Sequence, residues 1–186
     1  KRLIRCVGEP SLRFEEDALR ILRSLRFMSR LGFRLDDETA KALRQNAFRL
    51  KTISRERIFS ELSGIICGKN ACDTVTEYAD VISVALPELF AGGAFMLKRL
   101  PDELHLRFAA LFKNADDAEN GMFSLKSPRK LRERVVALRR LIPLPDDEKE
   151  ILILGIDTPP EILREAAYWN STGKTADIID RLRMQN

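Results

Sequence analysis

Scarcity is informative in these 186 residues. One histidine, His105, and three cysteines, Cys6, Cys67 and Cys72, are too few and too scattered for a structural zinc site, which needs four ligands at metal spacing. An odd number of cysteines without disulfide spacing reads as reduced thiols in a cytoplasmic protein. The longest charge-poor stretch, 81–97, is interrupted by Pro87, Glu88 and the Gly92-Gly93 pair, which excludes a transmembrane helix. The opening residues lack the apolar run of a signal peptide. Valine is sparse, 6 residues against 26 leucines, and no window alternates apolar and polar side chains over a strand's length. That argues against a sheet-based fold. There is also no initiator methionine, so the chain is expected to be a piece of something longer.

What is present is a globular composition, 45% hydrophobic and 32% charged, with a formal net charge of +4. The charge is uneven. Residues 1–60 hold 15 Lys+Arg and 8 Asp+Glu, a net of +7, and residues 61–186 hold 17 and 20, a net of −3. Arginine outnumbers lysine 22 to 10, and its planar fork suits phosphate, base edges and carboxylates. The first third therefore reads as an anion-facing surface.

The spacing predicts an all-α fold, a bundle of about eight to ten helices. After an extended lead-in over 1–7, helices are expected at 12–31, 36–46, 54–66, 70–80 and 81–91. Gly32 closes the first, and Asp36 or Asp37 and Ser54 start the next two. Further helices are expected at 101–113 with Pro101 in the first turn, 127–142, 146–155, 160–170 and 174–184. The seam is placed at the Gly92-Gly93 break, giving units 1–92 and 93–186.

The first helix carries the strongest signal. At about 100° per residue, Ala18, Ile21, Leu22, Leu25 and Met28 share one arc. Asp17, Arg20, Arg23, Arg26 and Arg30 occupy the other half, together with Leu19, Phe27 and Leu31. One reading is a solvated face with pairs such as Glu16–Arg20. Another follows from stacked like charge, which favours a bound anion. Asp17 and Arg20, one turn apart, pair an acceptor with a donor fork. Cytosine and adenine each present an exocyclic amine beside a ring-nitrogen acceptor, whereas guanine and uracil put a carbonyl where the amine stands. Such a pair selects C and A by polarity, and Arg23 and Arg26 fall where a triphosphate would lie.

A second basic cluster, Lys126, Arg129, Lys130, Arg132, Arg134, Arg139 and Arg140 against the one acid Glu133, reads equally as an RNA-phosphate track or as a surface helix. Tyr168-Trp169 reads as one rim and one core aromatic.

Three segments resemble the tRNA CCA-adding nucleotidyltransferase and bacterial poly(A) polymerase family. The first runs Ile4-Arg5-Cys6-Val7-Gly8-Glu9-Pro10, then Arg13-Phe14-Glu15-Glu16-Asp17-Ala18-Leu19-Arg20-Ile21-Leu22-Arg23-Ser24-Leu25-Arg26-Phe27, then Leu31-Gly32-Phe33. It is similar to the family's IRTVGDP…RFxEDALRxLRxxRF…LGF, with Cys6 and Glu9 as departures. Ile53-Ser54-Arg55-Glu56-Arg57-Ile58 with Glu61-Leu62 resembles ISxERIxxEL, and Leu86-Pro87-Glu88-Leu89 resembles LPEL.

The resemblance implies that Asp17 and Arg20 read the incoming base, that Arg23 and Arg26 contact the same nucleotide, and that Arg57 and Glu61 brace the template helix. It implies CTP and ATP as substrates, the tRNA 3′ end as partner, and CMP and AMP addition as the reaction. Family members hold magnesium on GxDxD carboxylates of an amino-terminal head. No such motif occurs here; Asp36-Asp37, Asp116-Asp117 and Asp146-Asp147 read as helix starts. The chain thus resembles neck, body and tail, and is expected to be inactive alone. Ala109-Ala110-Leu111-Phe112-Lys113 stands where some relatives carry a His-Asp dyad, so no phosphohydrolase activity is expected, and His105 reads as a packing or surface residue. Poly(A), A-only or CC-only addition, and a free-standing helical RNA-binding module, remain the alternatives.

Overall fold

The computed structural model describes residues 2–145 and 147–169. They form an all-α molecule whose only sheet, among the described residues, is one parallel bridge. Leu3–Ile4 (β1) pairs with Arg34–Leu35 (β2), Leu3 opposite Arg34 and Ile4 opposite Leu35. Two residues per strand are too few to leave a period in the sequence.

The expected helix over 12–31 is two helices. Pro10–Glu16 (α1) begins on a proline, whose missing N–H costs nothing at a first turn. Leu19–Leu31 (α2) follows after a break at Asp17, which is extended at φ −150° and ψ 100°. The Asp17 carboxylate accepts from Leu19 N at 3.1 Å, and its carbonyl accepts from Arg20 N at 3.1 Å, so it caps α2. Gly32 ends α2 at φ +66° and donates to Met28 O. Asp36 caps Asp37–Asn46 (α3) through Thr39 N and is clamped by Arg5, Nη2 to Oδ1 at 2.7 Å, which holds its carboxyl below the usual range.

After a 3₁₀ stretch, Ala47–Thr52, comes Arg55–Ile66 (α4), whose Ser54 precedes the helix without a side-chain cap. Ala71–Glu77 (α5) and Ala79–Ala85 (α6) are short, and the Gly92-Gly93 pair lies inside a 3₁₀ stretch, Ala91–Lys98, instead of breaking a helix. Leu104–Ala110 (α7) starts three residues after Pro101, because Arg107 reaches back to hold the preceding loop. Ala115–Ser124 (α8) is a helix the spacing did not predict, its polar first turn capped by Asn114. Arg129–Leu141 (α9), Glu148–Asp157 (α10) and Pro160–Ala166 (α11) follow, with a closing 3₁₀ turn Ala167–Trp169. Eleven α-helices stand among the described residues. The expected helix at 174–184 and Asp146 lie outside them.

One hydrophobic cluster runs through α1 to α11. Its centre is α2 packed on α4, with Ile21, Leu22 and Leu25 fully buried against Ile58, Leu62 and Ile65. Each such side chain contributes about 1.5–3 kcal/mol. Gly64 and Gly68 permit the close approach: an added Cβ would strike Arg26 Cδ at the first and Ser29 Oγ at the second. In the later half α7, α8 and α11 pack on α9. Trp169 packs against the core while Tyr168 is half exposed.

Glu165 of α11 ties three helices, contacting Arg134 of α9 with both oxygens and facing His105 Nε2 of α7 at 3.0 Å. Burial pushes its carboxyl up, but the Arg134 and His105 side chains outweigh that and hold it below the ordinary value. A depressed carboxyl adds stability above its unfolded pKa, about 4.3, which is lost as pH falls through the folded one. Glu165→Gln is expected to lose about 1–2 kcal/mol at pH 7 in urea denaturation, and the gap from the parent to close below pH 4. A gap independent of pH would show that the carboxylate's charge contributes nothing.

Candidate nucleotide and RNA site

The α1–α2 break sets the geometry. Because Asp17 caps α2 from outside, it and Arg20 do not form the pair one turn apart on a continuous helix that the sequence suggests. Arg20 Nη1 instead reaches Glu16 Oε2 at 2.9 Å and Arg13 O at 3.3 Å. Arg13 bonds both oxygens of Glu16 at 3.0 Å and sends Nε to Val7 O at 3.1 Å. The two guanidinium groups hold the Glu16 carboxyl below its ordinary value. Sequence reasoning missed Arg13; its signal is the i, i+3 spacing to Glu16.

Asp17 is answered from α4, where Arg57 Nη2 stands 3.3 Å from Oδ2 and 3.5 Å from Oδ1. The side chain of Asp17 is 28% exposed, so one edge faces solvent. Beside it a cleft of about 390 Å³ is lined by Glu15, Asp17, Phe48, Arg49, Thr52 and Arg57. Glu15 and Arg49 close one wall at 2.5 Å.

Stacked arginines on α2 were expected to repel one another unless an anion intervenes. The structure supplies acids from other elements instead. Arg26 Nε meets Glu61 Oε2 of α4 at 2.7 Å, both side chains largely buried, and its Nη groups are left over. Arg57 and Glu61 therefore stand one turn apart on α4, Glu61 facing Arg26 of α2 and Arg57 facing Asp17 just ahead of it. Arg23 and Arg30 are exposed and have no ion-pair partner among the described residues.

The second basic cluster is also largely answered by acids, one on its own helix and others from elsewhere in the chain. Lys126 pairs with Glu56 at 2.9 Å, Arg129 with Glu133 at 2.7 Å, and Arg132 with Glu119 at 3.3 Å. Arg132 also lies over the exposed ring of Phe123, 5.4 Å from its centroid. Lys130 is exposed and has no partner among the described residues.

Cys67 is pushed up to about 11 by burial and by the Asp102 carboxylate, so it is a thiol at neutral pH. No three His, Cys, Asp or Glu side chains converge as a metal site among the described residues. The acids along the arginine row, Glu15, Glu16, Asp17 and Glu61, are each held by an arginine, so this set does not fit a divalent cation. No helix among the described residues is long and apolar enough to cross a membrane.

Residues 32–89 match the family model described as "Probable RNA and SrmB- binding site of polymerase A". A CCA-adding enzyme of Geobacillus thermodenitrificans is 43% identical over 97 residues, covering 52% of this chain and 24% of that protein. One from Limosilactobacillus reuteri is 32% identical over 155 residues, covering 77% of this chain and 38% of that protein. This chain thus spans less than half the length of the curated relatives it matches. Among solved structures, the Bacillus stearothermophilus CCA-adding enzyme in complex with CTP superposes with a TM-score of 0.77 at 26% identity, over 99% of this chain and 51% of that one. The Thermotoga maritima CCA-adding enzyme complexed with tRNA superposes at 0.70 and 18% identity, over 99% and 52%, a likeness of fold. On the dense motif over residues 4–33, the helical architecture and these relatives, the chain belongs to the family of tRNA CCA-adding nucleotidyltransferases and bacterial poly(A) polymerases.

Proposed function

We propose that this chain is the nucleotide-selecting and tRNA-binding part of a cytoplasmic enzyme that adds CMP and AMP to tRNA 3′ ends. The observation that carries this is Asp17. Its carboxylate is fixed between the α2 backbone and Arg57, and its side chain is 28% exposed and borders a cleft. An open carboxylate edge accepts from the exocyclic amine of cytosine or adenine. Arg20 turns from Glu16 to donate to the ring nitrogen. Guanine and uracil present a carbonyl to the carboxylate and are refused. Arg23 and the free Nη groups of Arg26 take the triphosphate, and the Glu61 pair keeps Arg26 in place. Residues 1–92 perform the selection. Residues 93–186 hold RNA through Lys126, Arg129, Lys130 and Arg132. Magnesium and its carboxylates come from outside this chain, which is inactive alone.

A test of this reading is competition for a fluorescent ATP analogue bound to the chain. CTP and ATP are expected to displace it at least tenfold better than UTP and GTP. Equal displacement by all four would sink the reading. A second reading, poly(A) addition, is favoured by the family model over residues 32–89. It predicts displacement by ATP but not by CTP.

A further inference from the structure

Seven arginines in the first half have an acidic partner: Arg5, Arg13, Arg20, Arg26, Arg44, Arg49 and Arg57. The cations on the open face of α2 have none among the described residues. Arg23 and Arg30 are exposed there, and between them Phe27 is 40% exposed. Positions 23, 27 and 30 are four and three residues apart, so the three side chains adjoin along one face. The neighbouring guanidinium of Arg26, held by Glu61, lies 5.0 Å from the Phe27 ring centroid and fixes the ring's setting.

A fourth cation lies near the carboxy-terminal end of α2. Lys69 is exposed and has no ion-pair partner among the described residues. Asn70 donates its backbone N–H and its side-chain amide to Ser29 O at 2.9 and 3.1 Å, and Gly68 packs on Ser29. Lys69 is thereby seated at the carboxy-terminal end of α2. An aromatic ring flanked by unneutralised cations is what an unpaired nucleic-acid strand needs. Bases stack on the ring while phosphates meet the charges. A duplex, its bases already stacked, has no use for the ring.

We propose that a single-stranded RNA segment reaches the nucleotide site along α2, stacking one base on Phe27 and placing phosphates at Arg30 and Lys69. At 1.5 Å per residue, Phe27 lies roughly 12 Å along α2 from Leu19, the residue that Asp17 caps. The stacked base therefore belongs to a nucleotide upstream of the reacting end. This assignment rests on the reading of the chain as RNA-binding, but the two fail separately. The competition among nucleoside triphosphates does not involve Phe27, and strand binding does not depend on which nucleotide is preferred.

The experiment is fluorescence anisotropy of the chain with a labelled single-stranded RNA octamer and a blunt RNA hairpin, over a range of salt. The octamer is expected to bind. Phe27→Ala should weaken it about tenfold with the salt slope unchanged, and Phe27→Trp should retain it. Arg30→Gln with Lys69→Gln should reduce the salt slope by about 1.4, the value for two phosphate contacts on a single strand. The hairpin should be indifferent to Phe27→Ala. An octamer that does not bind, or binds equally after Phe27→Ala, overturns the proposal. So does an equal loss for the hairpin. A change in sedimentation mass on Phe27→Ala would assign the face to a second copy and overturn it too.

Discussion

Asp17→Asn is expected to cost base choice about a hundredfold while leaving triphosphate affinity within about threefold, once this helical part acts within a complete enzyme. The carboxylate accepts only, whereas the amide offers an acceptor and a donor at nearly the same positions. By turning, it meets the amine of cytosine or adenine, or equally the carbonyl of uracil or guanine. The amide oxygen still accepts from Leu19 N, so the cap on α2 survives and the loss falls on selectivity. Asp17→Ala removes both functions and leaves Arg57 facing nothing, so it should also lower stability by about 1 kcal/mol. The measurement is the incorporation ratio of UMP to CMP on a tRNA primer, beside thermal melts of each variant. Unchanged exclusion of UTP by Asp17→Asn would end the template role.

The second large effect is on folding. Arg107 is 8% exposed and spends its donors on backbone: Ile66 O at 2.6 Å, Pro101 O at 2.9 Å and Leu100 O at 3.4 Å, with Asp102 at 3.4 Å. Ile66 ends α4, so the cation also sits at a helix carboxy terminus, where it is favoured. Arg107→Met keeps the stem and removes every donor, stranding carbonyls in the interior. The expected loss is about 3–5 kcal/mol, a fall in Tm of roughly 8–15 °C for a chain of this size. Arg107→Lys restores charge at a single point and should recover less than half. Urea denaturation decides; a loss below about 1 kcal/mol for Arg107→Met would mean water satisfies those carbonyls.

The motif in the first third was legible because its residues are contiguous, and helix was legible wherever leucine recurs at helical spacing. The break at Asp17 was not. No glycine or proline marks it, and Ala18, Leu19 and Arg20 are all strong helix formers. A bond from Asp17 to the α2 backbone and a partner forty residues on, Arg57, overrule that propensity. The same distance hid the neutralisation of the stripe, since a helical wheel cannot see Glu61 reaching across to Arg26. Arg107 carried no signal, because nothing in a short window says that α4 ends against it. The α8 helix was concealed by its polar first turn and by Gly121, which lies against Phe112.

The interruption between α1 and α2 has an evolutionary consequence. In one unbroken helix, every residue inserted ahead of Asp17 would swing the upstream turns about 100° around the axis relative to it. Here the register of Pro10–Glu16 is broken from that of Leu19–Leu31, and the Asp17 side chain takes its bearing from α2 and α4 while its backbone N–H closes α1 on Arg13 O. In the proposed role of Asp17, sequence drift ahead of the break leaves the carboxylate's setting untouched as long as Arg13 and Glu16 keep their bonds to Arg20.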